Sequence, residues 1–301
     1  MFNYNEKNIK IVEVGPRDGL QNEKAIISLE DKLRYIDLLY QSGVKTIEAT
    51  SFVRAPKIPQ MADAFELMES LNKKEYQGAS FPCLVPNLKG LENAMSVGVK
   101  EISLFSATSD EFTKKNINCT VDESFDRMIE VVKIAERENI KIRGYVSTAF
   151  GCPYAGDIGV EKLEHVIKRF FDIGAYEVSI GDTIGVATPK QVYEYLNRLQ
   201  QGIELKKLAM HFHDTRGMAL ANIISSLECD ITTFDSSSGG LGGCPYANGA
   251  TGNIATEELV YLFSSLGLET GVDLEKLKLA SHFILEKVQK VSSSKLFQTF
   301  N

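Results

Sequence analysis

The sequence predicts a (β/α)8 barrel, or TIM barrel, with an additional C-terminal helical segment. Three observations carry that expectation. Strand-like and helix-like patterns alternate from end to end and give eight strands. A short motif recurs where one helix closes and the next strand opens. No G-x-G-x-x-G follows the first strand, as an open dinucleotide-binding sheet would require.

The first strand is expected from Ile9 to Val14, and the second from Thr46 to Ser51. Between them Leu29, Leu33, Ile36, Leu39 and Tyr40 recur at helical spacing, with Gly43 closing the helix. Further strands are expected at 80–85, 101–106, 141–147, 177–180, 208–213 and 232–236. Thr188-Pro189 reads as an N-cap with proline in the first turn of a helix. The recurring motif is G-V-K-T-I-E at 43–48, G-V-K-E-I-S at 98–103 and G-A-Y-E-V-S at 174–179. Each copy reads as a C-cap glycine, a tight loop and a new strand. Residues 230–235 are a looser copy in which Asp230 replaces glycine. The copies close on Glu48, Ser103, Ser179 and Asp235, polar residues expected near the open end of a barrel. The barrel is expected over 1–270 and a helical appendage over 271–301, with the tail from Ser292 loosely held.

Composition narrows the function. The chain has 301 residues, 44% hydrophobic and 24% charged, with a net charge of −7. That excess of negative charge argues against nucleic acid or an anionic membrane as the main partner. No apolar run approaches the ~18 residues that a membrane span needs. Five widely spaced cysteines without a C-x-x-C argue against a disulfide framework. A cytoplasmic home is expected, as is a homo-oligomer, dimer or tetramer.

Catalytic groups of a barrel sit at the carboxyl ends of its strands. His211 and His213 lie two apart on one strand, so both side chains share a face, with Cα atoms about 6.6 Å apart. They can grip one cation; the competing reading is a pair of core histidines. With Asp18 and Asn253 they make a mixed nitrogen and oxygen set that suits Mg²⁺ or Mn²⁺, and also Zn²⁺. In Gly15-Pro16-Arg17-Asp18-Gly19, Asp18 can face the metal while Arg17 faces a developing oxyanion. Glu48 either orients one of them or is a buried partner for an arginine. Cys244 sits among glycines in a loop that can cover the site. The pentapeptide G-C-P-Y-A around it also occurs around Cys152. Lys114, Lys115 and Asn116 either hold the phosphates of a large anionic ligand or form a solvated charge pair.

At this point the motifs resemble the 3-hydroxy-3-methylglutaryl-CoA lyase family of metal-dependent barrels. They are V-G-P-R-D-G-L-Q-N-E at 14–23, E-A-T-S-F-V at 48–53, S-I-G-D-T-I-G at 179–185, H-F-H-D-T-R-G at 211–217 and G-L-G-G-C-P-Y-A-x-G-x-x-G-N at 240–253. The resemblance implies an acyl-CoA substrate and a cation on Asp18, His211, His213 and Asn253. It implies that Arg17 polarises the thioester oxygen, that Cys244 moves a proton, and that Glu48 and Asp182 support the site. The implied reaction is retro-Claisen cleavage to acetyl-CoA and acetoacetate. Two rivals are a lyase for a related 3-hydroxyacyl-CoA and a Claisen-condensing enzyme of the isopropylmalate synthase type. The Cys244 loop argues against the latter. The regulatory C-terminal cysteine of some animal relatives is absent, since no cysteine follows 244. No mitochondrial presequence is read at the N-terminus.

Overall fold

A computed structural model describes residues 8–54, 57–243 and 252–299. Its strands are β1 (Lys10–Glu13), β2 (Thr46–Ile47), β3 (Thr50–Ser51), β4 (Cys83–Leu84), β5 (Glu101–Ala107), β6 (Lys141–Ser147), β7 (Glu177–Asp182), β8 (Leu208–Phe212) and β9 (Thr233–Ser236). They pair in parallel in the order β2-β1-β9-β8-β7-β6-β5-β4-β3. β2 and β3 are two halves of the one expected strand. The Glu48 amide donates to the Glu13 carbonyl at 2.9 Å, and the Ala49 amide donates to the Pro82 carbonyl at 3.0 Å. Alternate amides thus reach opposite neighbours and close the ring, so eight strand positions form the barrel. The ladder beside β4 is short because Pro82 has no N–H to return.

Helices alternate with the strands: α1 (Leu29–Gln41), α2 (Ala64–Asn72), α3 (Leu88–Ser96), α4 (Asp110–Ile117), α5 (Val121–Arg137), α6 (Val160–Asp172), α7 (Pro189–Leu199), α8 (Ala219–Glu228), α9 (Thr256–Ser265) and α10 (Leu274–Val288). Their caps follow the sequence. The Ser28 side chain accepts from the Asp31 amide, Thr120 and Glu123 form a capping box, and Thr188 accepts from the Gln191 amide ahead of Pro189. Of the ten, α4 is an addition at the mouth after β5, and α10 follows the eighth unit. Leu277, Ala280 and Ile284 of α10 are buried, and its Lys287 pairs with Asp31 of α1 at 2.9 Å. Among the described residues, no helix is long and apolar enough to cross a membrane.

The recurring motif has one backbone meaning. Gly43, Gly98 and Gly174 have φ of 103°, 75° and 87°, and Asp230 in the looser copy has φ of 63°. All four are left-handed turns that end a helix and aim the next strand, and aspartate is among the few other residues that tolerate them. The tail corrects the expectation of a loose end. Ser292 and Ser294 are buried. The Ser292 hydroxyl donates to the Gly239 carbonyl at 2.9 Å, and Ser294 and the Lys295 amide donate to Glu258 at 3.1 and 2.8 Å. Serine hydroxyls hold this segment together with Phe297, which packs on the core and lies 4.5 Å from the His282 ring centre, and the serine-rich stretch is why its composition reads as loose.

At Gly43 a Cβ would collide with the Gly271 carbonyl as well as disfavour the positive φ. Gly43→Ala is therefore expected to cost about 1–3 kcal/mol, read as a lower urea midpoint. An unchanged midpoint would contradict this account of the turn.

Candidate active site

The site begins where β1 ends. A π-helical turn, Gly15–Gly19, folds back so that the amides of Arg17, Asp18 and Gly19 all donate to the Val14 carbonyl, at 3.2, 2.7 and 3.1 Å. Such turns are rare and occur often at functional sites. This one aims Arg17 and Asp18 at the barrel axis. Arg17 is buried; its Nε donates to Glu48 Oε2 at 2.7 Å and its Nη1 to Asp18 Oδ1 at 2.7 Å. Burial opposes the guanidinium charge, but Glu48 and Asp18 more than restore it, so Arg17 stays charged. Burial also raises the Glu48 carboxyl, with Arg17 opposing. The break between β2 and β3 falls where Glu48 turns inward, and its two sequence readings merge: it is buried, and it orients Arg17.

His211 is the penultimate residue of β8 and His213 directly follows the strand, their ring centroids 5.3 Å apart. One ligand atom from each of Asp18, His211 and His213 lies within 4.8 Å of the others. Asn253 joins them across 40 residues of sequence because the returning chain pairs with the end of β8. The Ile254 amide donates to the Phe212 carbonyl at 3.0 Å and the Asp214 amide to the Gly252 carbonyl at 3.1 Å. The Asn253 amide nitrogen donates to Asp18 Oδ2 at 2.9 Å, while its Oδ1 and His213 Nδ1 are buried with no hydrogen-bond partner among the described residues. Burial lifts Asp18, but Arg17, His211 and His213 outweigh it and hold the carboxyl down at about 2. Burial and the neighbouring His211 lower His213 to about 4, so it is neutral at neutral pH. A neutral imidazole, an ionised carboxylate and orphaned polar atoms facing one another fit a divalent cation.

Other expected residues fall in different places. Asp182 is buried, and its two oxygens accept from the Val186 and Ala187 amides at 2.9 and 3.0 Å. Burial nevertheless lifts its carboxyl to about 6. It shapes the turn after β7; Gly181 of the strand and Thr183 of the turn line the cavity. Asn116 lines the mouth; Lys114 and Lys115 stand on the same helix, Lys114 near Asp110 at 3.9 Å and Lys115 3.7 Å from the Tyr154 ring centre. Cys244 lies outside the described residues. Cys152 is buried; its thiol donates to Ser109 Oγ at 3.2 Å, and its backbone closes a tight pair with Gly156.

The groups open into a cavity of about 570 Å³, with apolar walls from residues such as Val85, Leu104 and Met128. Sequence reasoning missed its two outer cations, Lys57 and Arg127, and Tyr145, 5.4 Å from the Arg17 guanidinium carbon. It also missed Glu13. This buried carboxyl group accepts from the Gly15 amide at 2.8 Å, the Ser238 amide at 3.0 Å and the Thr256 hydroxyl at 2.7 Å. The available signal was polarity inside strands: Glu13 in β1, and Arg143 with Tyr145 two apart in β6.

Fold and site together define a barrel enzyme with a His₂Asp cation cradle and a charged arginine at its mouth. The HMGL-like family model matches residues 8–284. The chain is 50% identical over 292 residues to the mitochondrial hydroxymethylglutaryl-CoA lyase of Homo sapiens, covering 97% of this chain and 89% of that one. A cytoplasmic human relative is equally similar, at 50% over 294 residues, covering 97% of this chain and 79% of that one, so family membership does not set the compartment. The solved hydroxymethylglutaryl-CoA lyase of Pseudomonas aeruginosa superposes with a TM-score of 0.93 at 43% identity, covering 97% of each chain. The chain belongs to the HMGL-like family and groups there with the hydroxymethylglutaryl-CoA lyases.

Burial raises Glu13 to about 8 and Glu257 to about 7, against the value of about 4.3 for a glutamate in an unfolded chain. Between those values the fold keeps a proton that the unfolded chain releases. The stability tied to these groups is therefore full below about pH 4 and is lost as pH rises through 7 to 8. Glu13→Gln cannot titrate, so its urea midpoint is expected to gain on the parent's between about pH 5 and about pH 8.5. A constant difference across that window would refute the assignment.

Proposed function

We propose that the chain cleaves 3-hydroxy-3-methylglutaryl-CoA to acetyl-CoA and acetoacetate. The observation that carries this reading is the convergence of Arg17, Asp18, His211, His213 and Asn253, from three separate segments, at one end of a cavity with apolar walls. Asp18, His211, His213 and Asn253, a mixed imidazole and oxygen set that can take Mg²⁺ or Mn²⁺, would hold a divalent cation, which would supply Lewis-acid polarisation of the C3 hydroxyl. The hydroxyl loses its proton to a base, the O–H electron pair becomes a carbonyl, and the C2–C3 bond breaks. Its electrons pass to the thioester as an enolate. Arg17, aimed by Glu48 and kept charged, faces that oxygen and stabilises the charge as it grows. Cys244 returns a proton to C2 and completes acetyl-CoA.

Val85, Leu104 and Met128 offer the methyl-bearing chain an apolar part of the cavity wall. Asn116, with Lys114 and Lys115 on the same helix, and Lys57 and Arg127 at the outer wall, provide donors for the CoA phosphates. Lys57 Nζ donates to the Asn116 carbonyl at 3.2 Å, which sets this rim in one piece. A solved relative from Acinetobacter baumannii, 32% identical with a TM-score of 0.92 and covering 98% of this chain and 95% of that one, is in complex with coenzyme A and 3-methylmalate. That supports an acyl-CoA in the corresponding cavity.

The test is acetoacetate release from a panel of 3-hydroxyacyl-CoA thioesters. Release is expected from the 3-methylglutaryl compound, abolished by a chelator and restored by Mg²⁺ or Mn²⁺. Arg17→Gln should lower kcat by about 10²–10³ with little change in KM. Cys244→Ser should cut turnover, while Cys152→Ser should be nearly silent. Faster cleavage of another thioester would reassign the substrate, and full activity in Cys244→Ser would remove the proton donor.

A further inference from the structure

The two histidines of the cradle are held differently. Among the described residues, His213 Nδ1 is buried without a hydrogen-bond partner. His211 Nδ1 lies 3.3 Å from Asp235 Oδ2, and its Nε2 lies on the other side, 3.9 Å from Asp18 Oδ2. Asp235 sits beside His211 in the β8–β9 register and is 1% exposed. Its carboxylate is fixed from below. Arg143 Nη2 donates to Oδ1 at 2.7 Å and Nη1 to Oδ2 at 3.1 Å, a bidentate pair, and the Ser179 hydroxyl donates to Oδ2 at 2.7 Å. Arg143 is fixed in turn, its Nε donating to Glu177 Oε1 at 2.7 Å, and Lys10 reaches Glu177 at 3.2 Å from the far end of the barrel. Two cations and two anions therefore run along the barrel interior and end on one ring of the cradle.

We propose that Asp235 is a positioning residue for the cation site, holding the His211 ring with its proton on Nδ1 so that Nε2 presents a lone pair to the cation. Arg143 and Ser179 are the lock on Asp235. The inference rests on the cradle being a cation site, and adds which ring nitrogen binds and what selects it. An ionised acceptor at Nδ1 fixes the tautomer, stops ring rotation and makes Nε2 a stronger donor. Arg143 does not take the Nδ1 proton, because a guanidinium has no acceptor. A second consequence is asymmetry. His211 enters the cradle pre-oriented, whereas His213 is positioned by packing alone among the described residues.

Two measurements test this. The first uses the unmodified protein saturated with Mg²⁺, with its imidazole nitrogens labelled. Nitrogen NMR is expected to show His211 with its proton on Nδ1 and its Nε2 on the cation; the opposite assignment, or a rapidly exchanging mixture, overturns the proposal. The second is Mn²⁺ binding by calorimetry. Asp235→Asn is expected to weaken it about 10- to 100-fold, the usual effect of removing a group that orients a ligand. Glu177→Gln alters the same ion chain without touching His211 and should stay within about threefold of the parent. Equal losses in both variants would mean that the chain only supports the barrel, and parent-like affinity in Asp235→Asn would also overturn the proposal. The paired variant Asp235→Asn with Arg143→Met removes the unpaired guanidinium should the single change fail to fold, and the first measurement needs no variant. Neither depends on turnover, so a chain that binds Mn²⁺ as expected yet cleaves no thioester would refute only the proposed reaction.

Discussion

The side-chain carboxyl group of Glu13 is the constraint on which the site depends. It lies inside the protein, where an unmatched acceptor is costly, and it is matched by donors from three separate segments. Gly15 opens the turn that carries Arg17 and Asp18. Ser238 opens the glycine-rich segment that follows β9. Thr256 stands three residues after Asn253 and starts α9. Glu257 repeats the device one position on, accepting from the Gly239 amide at 2.9 Å. Removing either carboxyl group would leave buried amides unpaired, at about 1–3 kcal/mol each. The arginine, the cation cradle and the glycine-rich segment are thus held by the same few hydrogen bonds, although the side chains doing the chemistry are elsewhere.

The interior of this barrel differs from the usual layers of branched aliphatic side chains. Arg143 is among its largest fully buried side chains and is paired to Glu177 and Asp235. Such an arrangement is seldom favoured for stability alone, since charges must be stripped of water; breaking it by removing one partner typically costs about 3–5 kcal/mol. Its value is direction. Charges fix side chains at angles that aliphatic packing leaves freer, and both Arg17 and His211 need a fixed angle. Arg17 receives it from Glu48 and Asp18. In each case a buried acid aims a group that faces the cavity.

The tail makes the same point at lower energy. Lys290 Nζ donates to the Gly242 carbonyl at 3.2 Å, and the Ser293 hydroxyl donates to the Gly240 carbonyl at 3.2 Å. Together with Ser292 on Gly239, these bonds fasten the start of the segment that runs toward Cys244. The chain after α10 therefore buttresses the mouth of the barrel.

By itself the sequence determined the barrel, the eight strand positions and the face that His211 and His213 share. Strand alternation and left-handed helix ends are local rules that act within a few residues, and the motif at Gly43, Gly98, Gly174 and Asp230 states them directly. It also determined that Arg17 and Asp18 stand at a strand end. The tertiary structure alone decided which distant groups meet. Asn253 reaches His213 only because the chain returns to pair with β8. Asp182 has the expected position, but its oxygens are taken by backbone amides. Lys57 and Arg127 come from segments 70 residues apart to one cavity wall. Glu13 looks like one polar residue in a strand until ring closure surrounds it with donors. Such meetings depend on the closing of the sheet and the path of its loops, and no local period encodes either.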